Sequence, residues 1–251
     1  MSIPLSQKTE KNYENFIARC PICDHRNIFN RCSDLKTFKP IDFKKVECFN
    51  CHKSFGINGD DISPPYEYVY RECHKLIIEK HYINCIINLS QSIEMFLAYC
   101  IYDRLLWELF RKGIINSTDD VNLLIGGIDH KIKNYSFSSL RNIFFDIYLN
   151  RKSFNSKSDA LAYIKNFHLL SKKLPSDNDI CIYPDKNLIT LFMNLKKTKI
   201  NELRNKVIHK YGYRPSFQEV ENVMEETERI LFDLKKELKI KYIYYFKEYF
   251  T

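Results

Sequence analysis

Four cysteines have the spacing of a metal site. Cys20 and Cys23 form one C-x-x-C pair, Cys48 and Cys51 form a second, and 24 residues lie between the pairs. Each pair makes a knuckle that directs two thiolates at one tetrahedral ion, and the intervening loop brings the second knuckle back to that ion. We therefore expect one structural Zn²⁺ held by four thiolates. Three further donors stand nearby and are alternatives as ligands: His25, Cys32 and His52.

A second set of residues could cut a phosphodiester. Arg204, Asn205 and His209 lie together in "ELRNKVIHKYGYRP". A histidine can act as general acid or base, and an arginine can stabilise the charge that develops on a phosphate. The same residues would also suit the solvated end of a helix. The spacing alone does not decide, because the chain has 11 Arg and 7 His and repeats a similar spacing at Arg19 and His25.

The charge of the chain is concentrated in the segment that leads into this second set. Residues 151–212 contain 13 Lys and Arg against 5 Asp and Glu, a net of +8, which equals the net charge of the whole chain. A local basic field suits a polyanion such as RNA, and a solvated lysine-rich surface is the alternative. The expected RNA-binding residues are the lysines around the set: Lys196, Lys197, Lys199, Lys206 and Lys210.

Two regions of different composition must position these residues. Residues 1–63 hold both C-x-x-C pairs within short β-prone runs, and a segment this short needs a metal to be stable. The prolines in "GDDISPPYEY" mark the boundary, because they cannot continue a strand and suit the first turn of a helix. In residues 64–251 apolar residues recur at three- and four-residue intervals. The expected fold is mostly α, with a small β-rich zinc ribbon before a helical domain.

Periodicity predicts where the first helices lie. Residues 66–113 read as two helices, or as one long helix with a bend near residues 80–82. A polar loop that contains Gly126 and Gly127 should follow. Two shorter helices come next, and Ser158 is the expected cap of the second.

The last helices should carry the Arg–Asn–His set. Residues 172–187 read as a loop, and residues 187–211 as one strong helix stopped by Gly212. A final helix should begin with a capping box between Ser216 and Glu219.

The helical prediction constrains the site. Five residues on a helix correspond to a rotation of about 140°, so Arg204 and His209 do not share a face, whereas Asn205 and His209 do. A complete site would need a group from another helix or from a second subunit.

No secretory or membrane segment is evident. The run "MSIPLSQKTEKNYENF" lacks the apolar stretch of a signal peptide. The most apolar segment is interrupted by four charged residues: Glu94, Asp103, Arg104 and Glu108. We expect a cytoplasmic protein whose paired cysteines bind metal rather than form disulfides.

The stretch "RNKVIHKYGYRPSFQEVENVMEETERIL" resembles the HEPN superfamily, small α-helical domains found in many prokaryotic toxins and phage-defence ribonucleases. That family has Arg followed after four to six residues by His, often with Asn directly after the Arg. Tyr211 matches the His-x-Tyr extension of a toxin subgroup whose tyrosine is adenylylated by a partner. The stretch "NLSQSIEMFLAYCIYD" resembles the family's early helix, in which Glu94 is the counterpart of a polar residue facing the site.

The resemblance covers roughly residues 66–240 and implies an antiparallel helical bundle of the HEPN type. It implies a metal-independent endoribonuclease, active as a homodimer whose Arg–His pairs meet at the interface. His209 would be the general acid or base, Arg204 would bind the phosphate, and Asn205 would orient the histidine or the phosphate. The setting would be phage defence (abortive infection) or a toxin with an antitoxin or a phage-derived trigger. The zinc ribbon and the long region 114–185 depart from the usual domain and leave the target open.

Two alternatives remain at this point. The chain could be a non-catalytic HEPN module that binds RNA or a protein partner, with the ribbon as an interaction platform. It could also be a zinc-ribbon transcription regulator with a helical dimerisation domain.

Overall fold

The computed structural model describes residues 15–30, 33–36, 44–57 and 64–240. These residues fall into two compact units, the first ending at Pro64 and the second beginning at Pro65. Within them, the first unit carries two small β-hairpins and the second is helical, which confirms a mostly α protein with a short β region near its start. Residues 58–63, which precede the expected boundary, and the tail 241–251 lie outside the described residues.

Both hairpins of the first unit are antiparallel. Strand β1 (Asn15–Arg19) pairs with β2 (Arg26–Asn30), and β3 (Lys44–Glu47) pairs with β4 (Ser54–Ile57). Each C-x-x-C pair forms the turn of one hairpin. Between the hairpins lies a small core that consists of Phe29, Leu35, Phe55, Ile57 and the buried Cys20 and Cys48. So few apolar side chains offer little stabilisation, which is the physical reason for such a unit to use a metal.

The second unit is built around one long apolar helix. Helix α2 (Tyr82–Tyr102) continues through a π-helical turn (Asp103–Trp107) into α3 (Glu108–Arg111). It follows α1 (Pro65–Ile78), and Lys80 in the left-handed region (φ 61°) makes the turn between them. The break expected near residues 80–82 is therefore present. Helix α2 has buried side chains along its whole length and forms the centre of the bundle.

Nine further helices complete the described part of this unit. They are α4 (Thr118–Ile132), α5 (Phe137–Leu149), α6 (Lys157–Lys165), α7 (Phe167–Leu170), α8 (Asp177–Cys181), α9 (Lys186–Lys197), α10 (Ile200–His209), α11 (Phe217–Glu228) and, after a π-helical turn (Arg229–Asp233), α12 (Leu234–Glu237). Helices α1, α5, α10 and α11 pack against α2.

The polar loop expected around Gly126 and Gly127 is wrong, because both glycines lie inside α4. Ser117 caps this helix by accepting a hydrogen bond from the Asp120 N–H (3.2 Å). One side of α4 is buried through Val121, Leu124 and Ile128. Burial at this three- and four-residue spacing outweighs the cost of about 1 kcal/mol for each helical glycine.

Two smaller expectations are also wrong. Ser156, rather than Ser158, caps α6, since its hydroxyl accepts from the Asp159 N–H (3.0 Å). The expected loop 172–187 contains α8, which begins with a capping box between Ser176 and Asp179 and buries Ile180. A Ser-x-x-Asp pair before one apolar residue is therefore enough to form a helical turn here.

The single helix expected over residues 187–211 is two helices, α9 and α10. Thr198 between them has an extended backbone (ψ 135°). Its hydroxyl donates to Glu226 Oε2 (3.0 Å), and the Lys199 N–H donates to the same oxygen (3.2 Å). Glu226 belongs to α11, so a distant carboxylate ends one helix and caps the next. The capping box at the start of α11 is confirmed, with Ser216 and Glu219 bonded to each other in both directions.

The long helix from Tyr82 to Arg111 is the one described segment with the length and composition to cross a membrane. More than half of its most apolar window is buried inside the helical unit, as in the core helix of a globular bundle. This feature is weak evidence for a membrane span.

Candidate functional site

The structure brings the four cysteines of the two C-x-x-C pairs together. The Sγ atoms of Cys20, Cys23, Cys48 and Cys51 all lie within 4.8 Å of one another. Cys20 Sγ is 3.8 Å from Cys51 Sγ, and Cys23 Sγ is 3.6 Å from Cys48 Sγ. Thiolates on a tetrahedral zinc with Zn–S bonds of about 2.3 Å would be separated by about 3.8 Å. The donor set and its spacing therefore fit a metal ion of this kind.

The two knuckles have the same backbone geometry. In the first, the Cys20 N–H donates to His25 O and the Asp24 N–H donates to Cys20 O (both 2.9 Å). The residues after the second cysteine of each pair, Asp24 and His52, are both left-handed, with φ of 55° and 59°. Such turns point backbone N–H groups at the sulfurs and pre-organise the thiolates before an ion binds.

A buried amide holds the knuckles in register. Asn27 is 1% exposed, its Nδ2 donates to His25 O (3.0 Å), and its Oδ1 accepts from the Phe49 N–H (2.8 Å). This side chain links one knuckle to the other without a metal. Of the alternative ligands, His52 is bonded to Glu47 through Nδ1 (3.1 Å), and Cys32 lies outside the described residues.

The thiols differ in their acidity. Burial alone would raise the pKa of Cys48, but hydrogen bonds from the backbone of Cys51 and Asn50 lower it to about 6. The pKa of Cys51 rises to about 11, because burial and the neighbouring thiols outweigh the hydrogen bond from the Lys53 backbone. Negative charges on neighbouring sulfurs repel one another and disfavour ionisation of all four thiols, and a bound cation would offset this repulsion.

The second candidate site lies on α10. Ile200 and Leu203 are buried on one side of this helix, which packs against α2. Its beginning is held by Glu226, as described above. Because α10 is held to the bundle by its buried side and by Glu226, the polar residues of its last two turns have a defined orientation.

Arg204 lies beside Glu94 of α2. Burial raises the pKa of the Glu94 carboxyl, while the charge of Arg204 and a backbone hydrogen bond from Phe137 oppose this rise. Arg204 Nη1 also donates to Asn205 Oδ1 (3.1 Å). The polar residue expected on the early helix is therefore close enough to Arg204 to interact with its charge.

His209 lies on the exposed side of α10. Together with Asn205, Lys206, Lys210 and Glu202 it lines a shallow surface depression. Arg204 does not line that depression. The structure thus brings Asn205 and His209 together, as the four-residue spacing predicts, and in a single copy it leaves Arg204 outside the depression.

The five lysines expected to bind RNA have different environments. Lys196 and Lys197 pair with Asp177, at 2.6 and 3.3 Å, and the side chain of Lys196 is only 13% exposed. Lys206 pairs with Glu202 (2.6 Å), and the hydrogen bond from Lys206, with the charges of Lys206, Lys199 and Lys210, lowers the pKa of Glu202. Three of these five lysines are therefore paired with one of two acids. A Glu–Lys pair four residues apart was visible in the sequence, whereas Asp177 is distant from its partners.

Exposed apolar side chains surround the end of α10. Ile208 is 45% exposed, Phe217 is 48% exposed, and Tyr211 is fully exposed. The ring of Tyr82 lies 6.3 Å from that of Phe217. Sequence periodicity indicated the buried side of α10 but not this second apolar surface.

No family model, curated protein or solved structure matches this chain. Its function must follow from the chemistry and geometry of these two sites.

Proposed function

We propose that the protein is an endoribonuclease of the HEPN type, with Arg204, Asn205 and His209 as catalytic residues. The observation that carries the proposal is the placement of Asn205 and His209 in one exposed depression, flanked by Lys206 and Lys210, at the end of a helix anchored in the bundle. An accessible imidazole beside an amide and two ammonium groups suits acid–base chemistry on a bound polyanion.

The proposed reaction is an attack by the ribose 2′-hydroxyl on the adjacent phosphorus. A bond forms between the 2′-oxygen and phosphorus, the bond from phosphorus to the 5′-oxygen breaks, and the products carry a 2′,3′-cyclic phosphate and a 5′-hydroxyl. His209 takes or gives the proton in transfer, and Arg204 stabilises the charge on the phosphoryl oxygens. This chemistry needs no metal because the substrate supplies its own nucleophile, and it requires RNA rather than DNA.

A homodimer would complete the site. Arg204 and His209 of one copy do not share a depression, so Arg204 of one copy would act with His209 of its partner. The exposed Ile208, Tyr211 and Phe217 offer an apolar surface for such an interface.

Zn²⁺ is the proposed ion of the four-cysteine site, with the structural role of holding the two knuckles. The unit around it would recognise the RNA, an antitoxin or a phage-derived trigger in the cytoplasm. The fully exposed phenol of Tyr211, two residues from His209, is accessible to a modifying partner that would silence the site.

The test is RNA cleavage by the wild type, Arg204→Ala and His209→Ala in buffer without added metal and without chelator, so that the proposed Zn²⁺ stays in place. The matched control is His168→Ala, because His168 is an exposed histidine on α7, distant in sequence from α10. We expect the wild type and the control to yield cyclic phosphate ends, and both site variants to lose activity by a factor of about 100 or more. Equal RNA decay in all four samples would exclude the catalytic assignment.

One observation favours a second candidate, a non-catalytic module that binds RNA or a protein. Within one copy, Arg204 interacts with Glu94 and Asn205, and it does not line the depression that contains His209. Such a module would bind RNA without producing cyclic ends, and Lys210→Ala would weaken binding without any effect on RNA integrity.

A further inference from the structure

We propose that Cys23 and Cys48 are an oxidation-sensitive pair, which a peroxide converts to a disulfide that joins the two knuckles and releases the metal. The Sγ atoms of these residues, one from each knuckle, are 3.6 Å apart. Cys20 and Cys51 form a second pair across the knuckles, at 3.8 Å. Because a disulfide bond is about 2.05 Å long, either pair closes with a shift of about 2 Å or less. The proposal rests on the proposed Zn²⁺ and not on RNA cleavage.

The four sulfurs differ in their accessibility. Cys20 and Cys48 are buried, whereas Cys23 is exposed. A metal keeps each of its cysteine ligands as a thiolate, which is the form of sulfur that reacts with a peroxide. Cys23 is therefore the point of attack from solvent, and Cys48 lies behind it as the sulfur that completes the disulfide.

The described cysteines of the helical unit lack this combination of exposure and a partner. Cys73 and Cys85 lie beside each other, with Cys73 Sγ 3.8 Å from Cys85 O, but both are fully buried. Cys100 is also fully buried, and burial raises the pKa of its thiol, which keeps it in the less reactive protonated form. Cys181 is exposed, but its helix α8 carries no second cysteine.

The reaction is a two-electron oxidation by a peroxide. The Cys23 sulfur attacks one oxygen of hydrogen peroxide, so that an S–O bond forms, the O–O bond breaks, and the leaving hydroxide is protonated to water. The Cys48 sulfur then attacks the sulfur of this sulfenic acid. An S–S bond forms, the S–O bond breaks, and a second hydroxide leaves and is protonated to water. The two sulfurs lose two electrons and the two peroxide oxygens gain them.

The consequence for the first unit is a loss of metal and a change of surface. Two thiolates remain, and a structural zinc site needs four ligands, so the ion is released. Ile22 and Phe49, which are 51% and 42% exposed, are the chain neighbours of Cys23 and Cys48. Because these apolar side chains move with the two sulfurs, oxidation alters the surface that the knuckles offer to a partner.

Zinc release and peptide mapping of the full chain test the proposal. Hydrogen peroxide in excess should release one Zn²⁺ per chain to a coloured chelator, and a phosphine reductant with added Zn²⁺ should restore the metal content. Trypsin separates the two knuckles, because it places Cys20 and Cys23 in the peptide 20–26, and Cys48 and Cys51 in the peptide 46–53. After oxidation we expect the two peptides to be linked, and fragmentation to locate the bond between Cys23 and Cys48.

Asn50 provides a variant that keeps all four ligands. Its Nδ2 donates to Cys23 Sγ (3.8 Å), and a donor on this sulfur reduces its reactivity toward the peroxide. Asn50→Ala should therefore release zinc about two to ten times faster, the range that corresponds to one hydrogen bond. Ser54→Ala, at an exposed position of β4 in the same hairpin, is the matched control, and Cys181→Ser controls for an exposed thiol outside the site. Both should release zinc at the wild-type rate.

Several outcomes would overturn the proposal. They are retention of zinc in excess peroxide, a disulfide within either C-x-x-C pair in place of the link between knuckles, and equal rates for Asn50→Ala and Ser54→Ala. Elemental analysis before oxidation separates this proposal from the metal assignment. A chain without Zn²⁺ at that stage would refute both, whereas a chain that holds Zn²⁺ and keeps it in peroxide would refute only the oxidation. Neither result changes the expected cleavage of RNA by α10.

Discussion

Removal of the Glu226 carboxylate should release the start of α10. One oxygen of Glu226 accepts from both the Thr198 hydroxyl (3.0 Å) and the Lys199 N–H (3.2 Å). Helix caps contribute about 0.5–2 kcal/mol, and two bonds to one partly screened oxygen are not additive. For Glu226→Ala we therefore expect a loss of about 1–2 kcal/mol in the free energy of unfolding.

The assay combines thermal unfolding with hydrogen exchange. A loss of that size lowers Tm by about 5 °C in a unit of this length. Exchange should accelerate in peptides that cover residues 198–209, because the first turn of α10 loses its cap. The Tm and the exchange rate of Glu226→Gln should lie between those of Glu226→Ala and the wild type, since the amide oxygen of glutamine still accepts a hydrogen bond.

Glu225→Ala is the matched control for this prediction. Glu225 is the adjacent residue, and its ion pair with Arg229 (3.5 Å) is exposed. Its removal should cost about 0.5 kcal/mol or less. If Glu226→Ala and Glu225→Ala have the same Tm and the same rate of hydrogen exchange over α10, the capping role of Glu226 is refuted.

Three further outcomes are expected. A mixture of the inactive Arg204→Ala and His209→Ala proteins should regain about one quarter of wild-type RNA cleavage. Half of the randomly exchanged dimers contain one copy of each variant, and each of these dimers has one intact site out of two. No recovery after subunit exchange would place both residues in the same copy. Burial raises the pKa of the Glu94 carboxyl, so the ionised carboxylate destabilises the folded state at neutral pH. This destabilisation decreases as the pH falls through the pKa of the folded state, because the carboxyl is then protonated. Glu94→Gln should therefore be stabilised relative to the wild type by more at pH 7 than at pH 5, as measured by urea unfolding at both pH values; a larger stabilisation at pH 5 would contradict this reasoning. Elemental analysis should find one Zn²⁺ per chain in the wild type and in Cys181→Ser, and none in Cys48→Ser; retention of metal in the last variant would contradict the four-thiolate site.

Local signals were sufficient where a short segment decides its own conformation. The C-x-x-C pairs predict knuckles because the turn that joins two thiolates is set within a few residues, and the sulfurs do meet. The capping box of Ser216 and Glu219 is likewise local, as is the break before Tyr82. The i and i+4 relation of Asn205 and His209 follows from helix geometry alone, and both line one depression.

Distant contacts decided the rest. No local signal could end a helix at Thr198, because the carboxylate responsible belongs to Glu226 of α11. The charge count did not show which lysines are paired, because Asp177 binds two lysines about twenty residues away. The sequence by itself determined the class of fold, the cysteine cluster and the face of α10 that carries His209. Only the tertiary structure placed Arg204 beside Glu94, because that interaction depends on how α10 packs against α2 and not on either segment alone.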